Sequence, residues 1–428
     1  MHAIEKILAR ASGQDSVVTG QIVNCRVDLA EVNDLYPQTI FSFQEMGGTR
    51  VHSPERITFI LDHYAPASSI QQAENQKLMR EFCKDQGIDL LFDVDSGVCH
   101  QVMVDNGLVY PGMILIATDS HTTTHGAFGA FGTGVGATDL AVIMATGHLW
   151  LRVPEIIRIN LNGSLATGVY SKDVILHIIG KLGADYAIYK AVEFSGTVLD
   201  NWSISERMAL CNMTTEMGAK SAYIQPDQAT LDFLADKVTK NFDIVETDVD
   251  FEYAEELFFD VTPIAPQLAV PQSVDNVLPL TELVGTPVHQ AYLGSCTGGR
   301  AEDIAVAARI LAGKKINPGT RMIVVPASKQ VYLDALRHGD VEKLVEAGAT
   351  FVTPGCAACL GTHEGILAAG EVCLASTNRN FPGRMGHVKS SVYLGSPAAV
   401  AAAALTGKIT DPSEILQKLE QENHEDNH

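Results

Sequence analysis

The segment that decides the fold reads Gly294-Ser295-Cys296-Thr297-Gly298-Gly299-Arg300 and follows the mostly apolar run 288–293. Two further segments repeat this design of a short apolar strand and a polar loop: Pro354-Gly355-Cys356-Ala357-Ala358-Cys359 and Ser376-Thr377-Asn378-Arg379-Asn380-Phe381-Pro382-Gly383-Arg384. Ligands of open α/β sheets lie beyond the carboxyl ends of the strands. The pattern therefore predicts an α/β fold in which three thiols converge at one sheet edge, with arginines close by.

The three thiols of these loops belong to Cys296, Cys356 and Cys359. Iron–sulfur clusters normally take four thiolates and structural zinc takes four nitrogen or sulfur ligands, so a three-thiolate site leaves one metal position open. An open position indicates chemistry, because the metal can then act as a Lewis acid on a bound substrate. The spacing alone also fits a zinc or dithiol motif that His363 or Cys373 completes.

Three histidines follow three predicted strands in the first part of the chain. They are His63, His100 and His121, and Asp62 and Asp119 stand within two positions of the first and the last. An imidazole that a carboxylate orients and keeps charged can protonate a departing hydroxyl near neutral pH. A single histidine of this kind is more often structural, whereas three beside acids and hydroxyl groups indicate a catalytic site.

The composition is that of an acidic globular protein of 428 residues with a formal net charge of −21. There is no run of lysines and arginines, which argues against nucleic acid or an anionic membrane as a partner. No stretch has the length and purity of a membrane helix, and eight cysteines in so long a chain do not indicate a secreted disulfide scaffold. We therefore expect a cytoplasmic protein. A small acidic substrate would need a local group of arginines, for which Arg300, Arg379 and Arg384 are candidates.

Changes along the chain predict three α/β domains, 1–154, 155–278 and 279–428, the last of which carries the cysteines. A stretch with three prolines, 262–274, is the expected linker into the third domain. In the second domain Asn212 and Glu216 stand four residues apart, so on a helix they share one face. By itself such a polar stripe is typical of an ordinary helix.

The three loop segments resemble the cluster-binding region of the aconitase superfamily, and the likeness extends over nearly the whole chain. The run from Arg379 to Arg384, after Ser-Thr-Asn, is similar in particular to the large subunits of the two-subunit branch, which includes isopropylmalate dehydratase and homoaconitase. The resemblance implies three domains of α/β/α layers, with the cluster site in a cleft between domains. It also implies that Cys296, Cys356 and Cys359 hold one [4Fe-4S] cluster per subunit, whose fourth iron binds substrate.

The same resemblance implies roles for single residues. Asp62 and His63 resemble the acid pair that protonates the departing hydroxyl, and His100 and His121 resemble two further active-site histidines. The remaining matches are the carboxylate partners Asp119 and Glu216, the substrate-binding residues Ser120, Arg379 and Arg384, and Asn212 and Asn378, which reach the cluster or its hydrogen-bond shell.

Two positions depart from the family pattern. Gly298 stands where the cysteine segment usually has asparagine, and Asn33-Asp34 stands about where relatives have a His-Asp pair. These changes touch neither a thiol nor the acid pair, and they bear on the choice of substrate. The Gly-Ser-Ser-Arg loop of single-chain aconitases is missing from the sequence. We therefore expect a small partner subunit, in a heterodimer, to supply the catalytic serine and a substrate arginine, and this chain alone to be inactive.

The resulting hypothesis is the large catalytic subunit of a hydro-lyase that reversibly dehydrates, or isomerises, an alkyl-substituted malate in amino-acid biosynthesis. The resemblance favours the 3-isopropylmalate dehydratase or homoaconitase type. The departures at Asn33 and Gly298 leave 2,3-dimethylmalate dehydratase, or another catabolic enzyme of this class, as the alternative. A zinc or dithiol binding module is the alternative from another class, and it predicts bound zinc without sulfide.

Overall fold

The computed structural model describes residues 1–425, whose contacts group into two compact units. The first unit comprises Met1–Asn162 and Asp185–Phe259, and the second comprises Gly163–Ala184 and the residues from Asp260 onward. This division is coarser than the three predicted domains, which stay a prediction. Within residues 1–425, none of the helices combines the length and the apolar composition that crossing a membrane requires.

Short strands alternate with helices along the whole chain. The strands are β1 (Ile22–Arg26), β2 (Leu29–Val32), β3 (Ile57–Ile60), β4 (Leu91–Phe92), β5 (Ile114–Ala117), β6 (Phe131–Gly134), β7 (His148–Arg152), β8 (Ile156–Asn162), β9 (Ala191–Ser195), β10 (Ser221–Ile224), β11 (Glu255–Asp260), β12 (Gln267–Ala269), β13 (Val277–Pro279), β14 (Gln290–Leu293), β15 (Arg321–Val324), β16 (Thr350–Phe351), β17 (Val372–Ala375) and β18 (Ser391–Leu394). The α-helices are α1 (Ala3–Ser12), α2 (Tyr36–Glu45), α3 (Ile70–Gln86), α4 (Cys99–Asp105), α5 (Ala137–Thr146), α6 (Ser171–Leu182), α7 (Ile204–Met213), α8 (Gln228–Leu234), α9 (Ala301–Leu311), α10 (Lys329–Arg337), α11 (Asp340–Ala347), α12 (Pro397–Thr406) and α13 (Pro412–Glu425).

A parallel sheet in the order β4-β3-β2-β5-β6 forms the centre of the first unit. Strand β5 reads Ile-Leu-Ile-Ala and is buried throughout. Continuous apolar runs of this kind are typical of parallel strands that are covered on both faces. Because parallel strands carry their carboxyl ends to the same edge, the loops that follow β2, β3 and β5 lie side by side.

Two smaller sheets complete the first unit. Strands β1 and β7 pair antiparallel, and the other sheet has the order β10-β9-β8-β11. A 3-10 helix, Ser120–Phe128, begins three residues after β5 and packs against α7. Helix α7 ends at Met213, and a second 3-10 helix, Thr214–Met217, continues the chain. This packing brings the segment around residue 216 to the loop that follows β5.

The second unit contains a sheet in the order β13-β12-β18-β17-β14-β15-β16. Strand β14 lies between β15 and β17, and both pairings are parallel. The predicted strands before the three loop segments are therefore confirmed, and those loops leave the sheet at one edge. Helix α12 is buried over most of its length and begins with Pro397 after Ser396. It ends at Thr406, and the following Gly407 has a φ of 77°, which is favourable chiefly for glycine.

Candidate functional site

His63 lies against two carboxylates in the first unit. Its Nδ1 is 2.7 Å from Asp62 Oδ1 and 2.9 Å from Asp34 Oδ2, and its backbone N–H donates to Asp34 Oδ2 at 2.8 Å. Burial disfavours the charged imidazole, but Asp62 and Asp34 outweigh burial and raise the pKa of His63 well above its usual range. The side chain is therefore held as an imidazolium at neutral pH, which is the form that can donate a proton.

The two carboxylates beside His63 differ in their own titration. Burial raises the pKa of Asp34 to about 7, although its hydrogen bond to His63 acts in the opposite direction. Burial acts on Asp62 in the same way, but there the charge of His63 outweighs it and lowers the pKa. Asp62 is thus the permanent counter-ion of the imidazolium, whereas Asp34 takes up a proton near neutral pH.

Asp119 connects the other two predicted histidines. Its Oδ1 lies 3.0 Å from His100 Nε2 and accepts the backbone N–H of His121 at 2.7 Å. Burial opposes the charge of Asp119, yet the two histidines outweigh burial and hold its pKa well below its usual range. His121 Nε2 lies 2.7 Å from Glu216 Oε1, so each histidine has a carboxylate partner. Burial lowers the pKa of His100, in spite of Asp119.

The structure gives Asn33 and Asp34, which the sequence analysis linked only to the choice of substrate, specific contacts with the predicted site residues. Asn33 donates from Nδ2 to Asp119 Oδ2 at 3.2 Å and accepts from the hydroxyl of Thr118 at 2.7 Å. Asp34, the next residue, is the second partner of His63. Both follow strand β2, which lies between β3 and β5. Their position directly after β2 could have indicated these contacts, because the loop after β2 leaves the sheet at the same edge as the loops after β3 and β5.

The predicted residues Ser120, Asn212 and Glu216 all lie close to His121 or to its 3-10 helix. Ser120 Oγ is 3.3 Å from His121 Nδ1, and Asn212 Nδ2 donates to Thr124 Oγ1 at 2.8 Å. The expectation that Asn212 and Glu216 share one face of a helix needs correction. Helix α7 ends between them, and Glu216 belongs to the following 3-10 helix, where the α-helical spacing of four residues no longer applies.

The three predicted thiols are buried in the second unit, where Ser295 lies against two of them. Cys356 Sγ and Cys359 Sγ are 3.4 Å apart, and Ser295 Oγ lies 3.6 Å from Cys296 Sγ and 3.8 Å from Cys359 Sγ. Within residues 1–425 none of the three forms a disulfide. Ser295 has a φ of 76° and Ala357 a φ of 48°, values that non-glycine residues rarely adopt. Strained backbone therefore accompanies the cysteines in both loops, as is common at functional sites.

Polar side chains of the third loop reach two of these sulfurs. Asn378 Nδ2 lies 3.3 Å from Cys296 Sγ, and Arg384 Nη2 lies 3.9 Å from Cys359 Sγ. N–H donors of this kind stabilise sulfur in its thiolate form. Arg379 is half-buried next to Asn378, whereas Arg300 is buried at the N-cap of α9.

Gly298, the first departure from the family pattern, fits its surroundings closely. A Cβ atom placed at residue 298 would lie 2.3 Å from the Cβ and Oγ atoms of Ser376. Ser376 itself joins the two loops, because its Oγ accepts the backbone N–H of Gly294 at 2.9 Å. The first and third loop segments therefore approach so closely that glycine is the residue that fits at 298.

Cys373 and His363 are the two candidates for the fourth ligand of a zinc or dithiol motif. Cys373 is buried inside strand β17, where its Cα pairs with Gln290 near the beginning of β14. The cysteine loops instead follow the far ends of these strands. His363 Nδ1 is 3.4 Å from Glu364 Oε2. The position of Cys373 is thus unfavourable for a fourth ligand.

The carboxylate-bound histidines of the first unit and the buried thiols of the second are groups of the kind that metal-dependent enzymes use. A family model described as "Aconitase family (aconitate hydratase)" matches residues 5–287 and 281–407. The chain belongs to the aconitase family. It is accordingly an enzyme of the hydro-lyase class, and family membership implies an iron–sulfur cluster.

Relatives that match over nearly their full length include proteins with two different names. The chain is 50% identical to 3-isopropylmalate dehydratase large subunit 1 of Methanopyrus kandleri, over 96% of this chain and 99% of that one. It is 47% identical to the probable methanogen homoaconitase large subunit of Methanothermobacter thermautotrophicus, over 97% of this chain and 98% of that one. The 3-isopropylmalate dehydratase large subunit of Aquifex aeolicus is 43% identical over 97% of this chain and 98% of that one.

Proposed function

We propose that this chain is the large, catalytic subunit of a [4Fe-4S] hydro-lyase that reversibly dehydrates an alkyl-substituted malate. The observation that carries the proposal is His63, an imidazolium held between Asp62 and Asp34 in a chain of the aconitase family. Relatives named 3-isopropylmalate dehydratase and homoaconitase large subunits support either of these substrate types. A cytoplasmic location is part of the same proposal.

The residues of the second unit fit an iron–sulfur cluster. Cys296, Cys356 and Cys359 offer soft sulfur ligands that are shielded from water and are not joined by disulfides within residues 1–425. Asn378 and Arg384 direct N–H groups toward two of the sulfurs. We assign the three cysteines as ligands of one [4Fe-4S] cluster and Asn378 to its hydrogen-bond shell. We assign Asn212, which donates to Thr124 Oγ1 in the first unit, to the cofactor-binding residues in a supporting role. When bound, the cluster would supply a Lewis-acidic iron that polarises the C–O bond of the substrate.

The residues of the first unit would handle the proton of the leaving group. Because Nδ1 of His63 faces the two carboxylates, its Nε2 is the nitrogen that would donate to the departing hydroxyl. The C–O bond then breaks and the hydroxyl leaves as water, with its second proton from His63. In the reverse direction the imidazole takes a proton from water as the C–O bond forms. His100 and His121, with Asp119 and Glu216, would orient the substrate and the leaving water.

The substrate carboxylates need fixed positive or hydrogen-bonding groups. We assign this role to Arg379, Arg384 and Ser120, because guanidinium groups bind carboxylates through two parallel hydrogen bonds. The same groups would stabilise the negative charge that develops on a carboxylate when the neighbouring C–H proton leaves. Removal of that proton is assigned to a serine of a small partner subunit, which also supplies another arginine. The names of the relatives, which are large subunits, support such a partner.

Co-expression with a candidate small subunit, followed by anaerobic purification, tests the proposal. The complex is expected to contain iron and sulfide in equal amounts and to dehydrate 3-isopropylmalate or homocitrate. The chain without its partner is expected to be inactive. 2,3-Dimethylmalate belongs in the same screen, because Asn33 and Gly298 depart from the family pattern. Stoichiometric zinc without sulfide, or no turnover of any substituted malate by an iron-loaded complex, would contradict the proposal.

A further inference from the structure

A buried lysine joins the loops that carry the cysteine and the asparagine of the cluster site. Lys172 stands in the first turn of α6 and is 1% exposed. Its ammonium group donates to the carbonyl oxygen of Thr377 at 2.7 Å, to the hydroxyl of Thr297 at 3.2 Å and to the carbonyl oxygen of Ser376 at 3.4 Å. An ammonium group has three N–H donors, so it can donate to acceptors of both loops at once.

The three acceptors come from two loops that meet at Cys296. Thr297 directly follows Cys296, and its hydroxyl donates in turn to Ser376 O at 2.8 Å. Thr377 directly precedes Asn378, whose Nδ2 lies 3.3 Å from Cys296 Sγ. The ammonium group of Lys172 therefore binds both Thr297, which follows Cys296, and Thr377, which precedes Asn378. A shift of either loop would break at least one of these contacts.

The electrostatic surroundings explain why a cation is useful at this place. Transferring an ammonium charge from water to the protein interior is costly, so a buried lysine is retained where a negative charge or several acceptors compensate it. The nearby acids Asp173 and Asp303 are themselves buried, and burial raises their pKa values to about 7 and about 6. Near pH 7 Asp173 is therefore only partly ionised, whereas Asp303 is mostly ionised. The thiolate of a cluster-bound Cys296, the residue before Thr297, would be a further source of negative charge.

We propose that Lys172 is a positioning residue of the cluster site, which locks loop 294–300 against loop 376–380 and places a buried positive charge against Thr297, the residue that follows Cys296. This inference rests on the proposed function, because it requires that the cysteines bind a cluster. It assigns a role to a residue in α6, far along the chain from every cysteine ligand. Replacement of a residue that hydrogen-bonds to or orients a metal ligand typically lowers metal affinity by about 10- to 100-fold.

The test compares Lys172→Met, which keeps the length of the side chain and removes its charge and donors, with the unchanged full chain in its complex. Lys172→Arg keeps the charge in a different geometry. Lys220→Met is the matched control, because Lys220 is a partly buried lysine of the first unit, whose Nζ lies 3.4 Å from Gly134 O. The readouts are iron and sulfide per chain, visible absorption, and the rate at which iron is lost to a chelator. The thermal midpoint and circular dichroism of the iron-free proteins report folding.

K172M is expected to fold and to lose iron about tenfold faster or more, or to be purified with less iron and sulfide. K172R is expected to lie between K172M and the unchanged protein, and K220M to match the latter. Loss of iron from K172M at the same rate as from the unchanged protein, with the same iron and sulfide content, would overturn the inference.

If K172M does not fold, the variant Thr297→Val provides the test. It removes one acceptor of Lys172 and is expected to speed the loss of iron to a smaller extent. An unchanged rate in that variant overturns the inference as well. Failure of the unchanged complex to bind iron and sulfide would instead refute the proposed function.

Discussion

His63 Nδ1 lies 2.7 Å from Asp62 Oδ1 and 2.9 Å from Asp34 Oδ2, so two carboxylates contact the same ring nitrogen. Two acids on one imidazole nitrogen hold the opposite nitrogen in a fixed direction and keep the ring charged. This arrangement suits a proton donor for a poor leaving group such as hydroxide. It also makes the proposed mechanism accessible to measurements on single variants.

Replacement of His63 tests its role as the acid. His63→Asn is expected to lower kcat by about 10²- to 10⁴-fold, the usual contribution of general acid catalysis, while iron and sulfide per chain remain unchanged. Steady-state kinetics of the complex, with metal analysis of the same sample, provide the measurement. His148→Asn in β7, on a half-buried strand position, serves as the control and is expected to retain activity. A small effect of H63N on kcat would exclude His63 as the proton donor.

The pH dependence of the rate tests the second carboxylate. Asp34 raises the pKa of His63 through a hydrogen bond and through its charge. Asp34→Asn should therefore lower that pKa, so the fall in kcat/KM on the alkaline side should move to lower pH. A complete pH–rate profile of both proteins measures this shift. An alkaline limb that stays in place would show that Asp34 does not influence the ionisation that controls the rate.

Glu31 predicts a pH-dependent stability. It is fully buried, and among residues 1–425 neither carboxylate oxygen has a hydrogen-bond partner. Burial, with Asp62, Asp119 and Asp34, raises the pKa of Glu31 well above its usual range. Ionisation of Glu31 therefore lowers the free energy of unfolding. This loss is absent below the pKa of a glutamate in the unfolded chain and grows as pH rises above it, because ionisation then stabilises the unfolded chain while Glu31 stays protonated in the folded one.

Glu31→Leu should therefore raise the free energy of unfolding by about 1–3 kcal/mol, the usual cost of an unsatisfied buried polar group, and more at pH 8 than at pH 5. Glu31→Gln removes the titration alone and should flatten the pH dependence. Denaturant unfolding of the iron-free protein at both pH values measures these effects. A larger stabilisation by E31L at pH 5 than at pH 8 would contradict the expected direction.

The close approach of Gly298 and Ser376 predicts an energetic coupling. Gly298→Ala places a Cβ 2.3 Å from the side chain of Ser376 and should destabilise the chain by about 1–3 kcal/mol, as overpacking usually does. Ser376→Gly removes the two nearest obstructing atoms, Cβ and Oγ, at the cost of the hydrogen bonds of the hydroxyl group. In the S376G background the second substitution should therefore cost less. Unfolding free energies of the four proteins form a double-mutant cycle, and strict additivity would show that the two residues do not compete for space.

Local sequence was enough to predict the strand-and-loop pattern around the site. Short apolar runs predicted β3, β5, β14 and β17, because parallel strands covered on both faces are locally apolar. The same reasoning predicted that cysteines and histidines would follow strand ends. Pairs close in the chain, such as Asp62 with His63, could also be predicted, since adjacent residues meet without help from the fold.

Contacts between distant groups, in contrast, arise only from the tertiary structure. The partners of His63 and Lys172 include Asp34 and Thr377, which lie 29 and 205 positions away along the chain. No local pattern marks such pairs, because the order of the strands and the packing of α6 bring them together. Burial has the same origin, and it is burial that raises the pKa of Asp34 and of Glu31. The sequence therefore supplied the reactive groups, whereas the fold determined their neighbours and their charge, since hydrogen bonding and dielectric environment depend on contacts made only after folding.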